Sequence, residues 1–286
     1  MAETLTVLDV VTKSAGFLEK KGVETPRLDA EWLIAGALGL GRMDLYLQFD
    51  RPLVEDQLSV MRGYVARRAK REPLQYILGQ TPFRDITLKC DERALIPRPE
   101  TEYLVELAMG SLPEMDGEYR ILDLGTGTGA IALALAYSYP LAKILAVDRS
   151  KDALALAAEN ALLTGFQTRV EFRESNWFSG IEEDERFDLI VSNPPYLTDQ
   201  ELAEAQPEVK DFEPGSALVA SDEGKADLET LIRGAKAHLN VGASLWLETG
   251  IAQHADLLKL SEACEYSSAE GLDDLTGRER FLKMTN

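Results

Sequence analysis

The chain has 286 residues with 30 basic and 49 acidic side chains, a formal net charge of −19. That length supports one large or two modest domains with a real core, and the acidity argues against a generic nucleic-acid binder, because phosphate neutralisation dominates such affinity. No apolar run reaches the roughly 20 residues of a membrane span, and "MAETLTVLDVV" has no basic stretch leading into a long apolar one, so no secretory signal and a cytoplasmic protein are expected.

Residues 4–75 read as helices only. "TLTVLDVVTKSAGFLEKKG" sets Leu5, Leu8, Val11, Phe17 and Leu18 at helical spacing and stops on Gly22. "PRLDAEWLIAGALGLG" opens on Pro26, ends on glycines and carries Leu28, Trp32, Leu33 and Ala37 on one face. "EDQLSVMRGYVARRAKRE" is a third periodic helix through Leu58, Met61 and Val65. Its end gathers Arg62, Arg67, Arg68, Lys70 and Arg71. These cations suit a solvated helix end favoured by the helix dipole, or a docking patch for an acidic partner. Charges balance over residues 1–75, so the whole deficit lies further on.

Pro73, Gly79, Pro82, Pro97 and Pro99 then break helices, and "FRDITLKC" alternates like a short strand. The expected organisation is a helical domain over 1–80 and a second domain over 81–286, with 81–98 a β-hairpin-like connector. From residue 119 strands and helices alternate. "YRILDLG", "AKILAVD", "RVEFRES", "FDLIVSN", "ASLWLETG" and a stretch near "RFLKMT" read as strands. "GAIALALAYSYP", "SKDALALAAENALLTG" and "DLETLIRGAKAHL" read as helices, and "GLDDLTGRERF" as a loop. Such alternation argues for an α/β, Rossmann-like, mainly parallel sheet with helices on both faces.

The first of these strands runs into "DLGTGTGA". Gly125, Gly127 and Gly129 allow a tight turn and close approach of a ligand. Asp148 ends the next strand, where an acid can bond ribose hydroxyls. The loop is ambiguous by itself: Gly125, Gly127 and Ala130 satisfy a dinucleotide pattern, whereas the denser G-x-G-x-G after Asp123 is more usual for S-adenosyl-L-methionine. The fourth strand, "FDLIVSN", ends in Asn193, Pro194, Pro195 and Tyr196. In the common doubly wound order that strand lies beside the first, and ligands bind at the switch point between them. A methyl acceptor belongs there; a nicotinamide enzyme has no evident use for Asn-Pro-Pro-Tyr. A conjugated NH2 is a poor nucleophile. The Asn193 side-chain oxygen and the Pro194 carbonyl can accept its two hydrogens, hold the nitrogen in line and stabilise its developing charge. The prolines stiffen the turn, and Tyr196 offers a surface for a planar group.

The residues "EPLQYILG" (72–79), "LIPRPETEYLVE" (95–106), "ILDLGTGTGAIALALA" (121–136), "AVDRS" (146–150), "NWF" (176–178), "VSNPPY" (191–196), "FEPGSALVA" (212–220) and "LETG" (247–250) resemble the PrmC/HemK family. That family methylates a glutamine side chain of class I peptide chain release factors. The resemblance implies a seven-stranded class I methyltransferase sheet behind a helical substrate-recognition domain. It implies binding of S-adenosyl-L-methionine, with S-adenosyl-L-homocysteine as product, at Gly125, Thr126, Gly127, Thr128, Gly129, Asp148, Trp177 and Asn193. It implies acceptor binding at Asn193, Pro194, Pro195 and Tyr196, with Asn193, Pro194 and Tyr196 catalytic. Arg98, Pro99, Glu100 and Thr101 would lie near the donor. The substrate would be N5 of the glutamine in a Gly-Gly-Gln motif, the partner a release factor, and the enzyme a monomer that needs no nucleic acid. Relatives often carry an acid where this chain has Asn176, which puts a direct role for that residue in doubt.

The competing reading from Asn-Pro-Pro-Tyr is an amino-methyltransferase acting on adenine N6 or guanine N2 of DNA or RNA; it would normally carry a basic target-reading region. A non-catalytic adaptor is a third class, opposed by the intact glycines, Asp148 and Asn193. His238 and His254 read as surface or packing residues, and Trp32 and Trp246 as core. Cys90 and Cys264 lack metal or redox spacing and read as reduced thiols. Glu248 ends a strand and suits either the pocket or a turn.

Overall fold

The computed structural model describes residues 5–251 and 253–286, so Thr4, where the helical reading begins, lies outside the described residues together with Met1 to Glu3. Five helices come first: α1 (Val7–Glu19), α2 (Pro26–Leu38), α3 (Arg42–Tyr46), α4 (Glu55–Arg68) and α5 (Leu74–Leu78). A hairpin of β1 (Gln80–Phe83) and β2 (Ile86–Lys89) leads to α6 (Pro99–Met109). Then β3 (Arg120–Leu124), α7 (Ala130–Ser138), β4 (Lys143–Asp148), α8 (Lys151–Thr164), β5 (Val170–Glu174) and β6 (Phe187–Ser192) alternate. Short helices α9 (Asp199–Glu204), α10 (Pro207–Lys210) and α11 (Ser221–Gly224) precede α12 (Ala226–Ala235) and β7 (Leu239–Glu248). The chain ends with α13 (His254–Ala263), β8 (Ser268–Asp273) and β9 (Glu279–Thr285).

Two compact units result: Met1–Gly79 with Gln206–Phe212, and Gln80–Ala205 with Glu213–Asn286. In the first, α1 starts at a reciprocal cap, Thr6 Oγ1 accepting the Asp9 N–H at 3.2 Å and the Asp9 carboxylate accepting the Thr6 N–H at 2.9 Å. Pro26 opens α2, and Gly39 closes it with φ 66°. Val7, Val11, Leu18, Leu33, Ile34 and Met61 are buried together, whereas Leu8 and Phe17 of the expected apolar stripe are exposed. Trp32 is only half-buried, with the Arg42 guanidinium over its ring. The arginines of the basic run pair with carboxylates of this unit. Arg62 pairs with Glu55 and Arg67 with Glu72. Arg68 meets Asp29 at 2.6 Å and Glu208 at 2.7 Å, and Arg71 meets Glu208 at 2.6 Å. The docking-patch reading therefore loses Arg68 and Arg71 to largely buried pairs, whereas Arg62 and Arg67 pair at the surface. Glu208 comes from α10, a stretch that periodicity grouped with the later domain.

The second unit holds a seven-stranded sheet of order β5-β4-β3-β6-β7-β9-β8. β9 runs antiparallel to both neighbours and the other pairings are parallel. Alternate residues serve opposite faces. Ile121, Ile144, Leu189 and Val191 pack with α6 and α7; Leu122, Leu124, Val147 and Ile190 pack with α12 and α13. Residues Ala130 to Ala136 of α7 are all buried, as a helix apolar on every side must be. The sequence pattern marks six strands and leaves out β8, whose residues are mostly exposed. The segment 271–281 is not a loop. It finishes β8, turns, and begins β9. The Asp274 carboxylate ties that turn by accepting the Thr276 and Arg278 N–H groups at 2.7 and 3.1 Å. Likewise "FRDITLKC" is not one strand, because Arg84 turns the hairpin at φ 49°.

Candidate active site

The order of strands reverses between β3 and β6, which opens a crevice at their carboxyl ends. Gly125, Gly127 and Gly129 follow β3 with φ of 75°, 56° and 83°. A side chain at Gly125 would stand 3.3 Å from the Trp177 ring. One at Gly129 would meet Leu133 and Ala157 at 3.1 and 3.2 Å, so that glycine serves the packing of α7 on α8. Asp148 ends β4 and accepts the Gly127 N–H at 2.9 Å and the Ser150 N–H at 2.8 Å. Thr126 donates to Asp123 at 2.6 Å, and the Thr128 carbonyl accepts from Asn160 at 2.9 Å. Asp123 is wholly buried, and its Oδ1 has no partner. Burial pushes its carboxyl up to about 7, against the opposing bonds from Thr126 and Ala132. Trp177 holds a left-handed backbone, φ 52°, and its indole N–H donates to Asp227 at 2.9 Å.

On the neighbouring strand Ser192 is in register with Leu124, and its hydroxyl donates to the Leu124 carbonyl at 2.6 Å. This pins the end of β6 beside the glycine loop, with Asn193 as the next residue. The Asn193 Nδ2–H donates to Thr101 Oγ1 at 2.9 Å. Pro194 is buried and Pro195 half-buried. The Tyr196 hydroxyl donates to Glu248 at 3.0 Å, its carbonyl accepts from Gln253 at 3.3 Å, and the Arg280 guanidinium lies 5.6 Å from its ring centre. Burial raises the Glu248 carboxyl above the usual range, opposed by the Thr101 and Tyr196 hydroxyls and by Arg280.

One cavity joins the two halves. Thr126, Thr128, Asp148, Trp177, Asn193 and Pro195 line it together with Gly125 and Gly127. Gly129, Pro194 and Tyr196 adjoin its lining residues Thr128, Ala130, Asn193 and Pro195 in the chain. Asn176 lies on its wall and is exposed. Glu213 accepts the Ile96 N–H at 3.1 Å and pairs with Arg98, while Arg149 donates to the Ser216 carbonyl at 2.7 Å. These bonds hold the loop of Pro214, Ser216 and Ala217 against the cavity.

The remaining candidates are structural. His238 stacks on Phe178 with centroids 5.3 Å apart, His254 is buried beside Thr249, and Trp246 is buried. Burial pushes the Cys90 thiol up to about 12, leaving it a packing residue. Among the described residues no His, Cys, Asp and Glu group could hold a metal, and no helix is long and apolar enough to cross a membrane. The sequence reading assigns no role to Asp227, nor to Glu213 within "FEPGSALVA". Glu248 carried a usable signal: Leu247 is in register with Ser192, so Glu248 and Asn193 leave adjacent strands side by side.

This sheet order with a cavity at its switch point is the frame of Rossmann-like methyltransferases, and solved structures share it. One is a methyltransferase from Pyrococcus furiosus, with a TM-score of 0.51 and 18% identity, covering 69% of this chain and 87% of that one. Another is the hMettl16 catalytic domain in complex with a MAT2A 3′UTR hairpin, with a TM-score of 0.57 and 16% identity, covering 78% and 81%. Residues 105–209 match the methyltransferase small domain, and residues 9–79 match the PrmC N-terminal domain. The class is therefore that of methyltransferases. Nearly the whole length is similar to the release factor glutamine methyltransferase of Geobacter sulfurreducens, at 41% identity over 280 residues, 98% of this chain and 96% of the relative. The enzyme of the same name from Rhodopirellula baltica is 38% identical over 294 residues, 99% of each chain. The chain belongs to the family of release factor glutamine methyltransferases.

Proposed function

We propose that this methyltransferase moves a methyl group from S-adenosyl-L-methionine to the side-chain N5 of the Gly-Gly-Gln glutamine in a class I peptide chain release factor. The observation that carries the reading is the seating of Asn193 directly beyond the Leu124–Ser192 register pair, beside the glycine loop, in a chain of this family. The residues fit the donor. Asp148 keeps lone pairs for ribose hydroxyls after its two backbone bonds. The missing side chain of Gly125 leaves room beside the Trp177 ring. The partnerless oxygen of Asp123 puts a buried acceptor under a loop that would meet a cationic ligand.

The bound donor supplies an electrophilic methyl group on a sulfonium. Asn193 Oδ1 and the Pro194 carbonyl accept the two hydrogens of the glutamine amide, aim its nitrogen along the transfer line and stabilise the positive charge that develops there. No side chain has to take a proton beforehand: as the N–C bond forms and the S–C bond breaks, S-adenosyl-L-homocysteine leaves as a neutral thioether, and the nitrogen, now strongly acidic, gives its proton to water. Tyr196, held by Glu248 and Arg280, backs the acceptor subsite. The helical unit is proposed to take part in recognising the release factor, and the enzyme to act as a cytoplasmic monomer.

Nucleic-acid methylation is not favoured: the net charge is −19, and the arginines that might track a backbone are paired internally. The test is incubation with labelled S-adenosyl-L-methionine and either a release factor or nucleic acid, followed by mass-spectrometric mapping. Label on the Gly-Gly-Gln glutamine supports the proposal, and label on a base alone overturns it.

A further inference from the structure

Glu248 is a buried carboxylate that the transfer step does not use. Two hydroxyls converge on it: Thr101 Oγ1 donates to Oε2 at 2.8 Å and Tyr196 to Oε1 at 3.0 Å. A threonine hydroxyl has one proton, and toward an ionised Glu248, which can only accept, Thr101 gives it to Oε2. Its oxygen is thereby left as an acceptor, and what it accepts is the Asn193 Nδ2–H at 2.9 Å. An asparagine amide has one donating and one accepting end. With the donating end spent on Thr101, the accepting end is the one presented to the cavity that Asn193 lines. If the amide were reversed, Asn193 Oδ1 and Thr101 Oγ1 would face each other with no proton between them. An NH2 group would then confront the NH2 group to be methylated.

We propose that Glu248 is a positioning residue for methyl transfer: acting through the Thr101 hydroxyl, it dictates that Asn193 shows its oxygen to the methyl acceptor, while holding Tyr196 directly. The direction of the chain of bonds is set at its buried end. Glu248 closes β7, Thr101 lies in the first turn of α6, and Asn193 follows β6, so three separate elements fix one amide. The kinetic consequence rests on the glutamine-methylation reading, whereas the orientation itself does not.

Thr101→Val cuts the chain without changing side-chain shape, and Glu248→Gln can accept from only one of the two hydroxyls. Each is expected to lower kcat by about tenfold or more, as loss of oriented electrostatic stabilisation does, with KM for S-adenosyl-L-methionine changed by less than about twofold. The double variant should cost little more than either alone, because both break one unit. Thr101→Ser restores the hydroxyl and should recover most of the rate. Independently of substrate, the side-chain NH2 of Asn193 in 15N-labelled protein, assigned by its disappearance in Asn193→Ala, should be protected from solvent exchange. That protection should fall in Thr101→Val and return in Thr101→Ser. An Asn193 amide signal indifferent to these variants overturns the proposal whatever the kinetics show. So does an unchanged kcat in both single variants of an enzyme that methylates a release factor. A wild-type enzyme that leaves the release factor unlabelled sinks the functional reading instead, and the NMR result then decides the orientation alone.

Discussion

Asn193 lines the crevice and Asp123 is buried just before its glycine loop, and the two carry opposite expectations. Replacing Asn193 by alanine removes an acceptor needed only as charge develops on the substrate nitrogen. Transfer should fall by about 10²–10³-fold, the usual loss when one such group is removed. Donor affinity, measured by calorimetry, should change far less; equal losses in both would place Asn193 with the donor instead. Asp123 speaks through pH. Its folded-state carboxyl titrates at about 7, well above the roughly 3.9 of an unfolded aspartate. The folded state therefore favours the proton. Asp123's contribution to stability is complete below about pH 4 and is lost as pH rises through 7. A cationic donor reverses the preference, since it gains from the ionised form. Affinity for S-adenosyl-L-methionine should thus rise as pH approaches 7 from below and level off above it, while the thermal stability of the ligand-free protein falls between about pH 4 and 7, and Asp123→Asn should flatten both trends.

Among the elements, the β3–loop–α7 unit leaves little room for change at its last glycine. Gly129→Ala would force a left-handed backbone on a side chain that meets Leu133 and Ala157. It should cost about 2 kcal/mol, read from urea unfolding; a cost below about 0.5 kcal/mol would mean that α8 yields easily. Much of this unit was legible in the sequence because its signals are local: a two-residue period in "ILDLG", an apolar run for α7 and glycines at a turn. The Asn-Pro-Pro-Tyr turn was legible for the same reason. What escaped depends on partners distant along the chain. Thr101 and Glu248 are 147 residues apart, and Trp177 and Asp227 are 50 apart; no window of sequence joins them. β8 escaped because its "SAEGLD" is polar and its pairing with β9 supplies the strand character. Its Gly271 also looked like loop chemistry, though it stands where the His254 ring of α13 leaves no space for a side chain. α6 was hidden by Pro99, read as a breaker yet occupying the first helical turn, where proline is tolerated.

For the molecule as a whole, the grouping of Gln206–Phe212 with the N-terminal helices gives Glu208 unusual weight. It is the carboxylate shared by Arg68 and Arg71, and the Arg68 side chain is only 8% exposed. Glu208→Gln should lower the stability of the helical unit by about 2 kcal/mol, because it weakens charge-assisted bonds to a buried cation. Urea denaturation followed by Trp32 fluorescence would read it, and an unchanged midpoint would show that Asp29 suffices for Arg68. The same contact sets a timetable. Protein synthesis delivers the N-terminal helices first, and domains commonly fold in that order. Here Arg71 waits for an acid that leaves the ribosome only after β3, β4, β5 and β6 have been made. The first unit to be translated is thus the one that cannot be completed until most of the parallel sheet already exists.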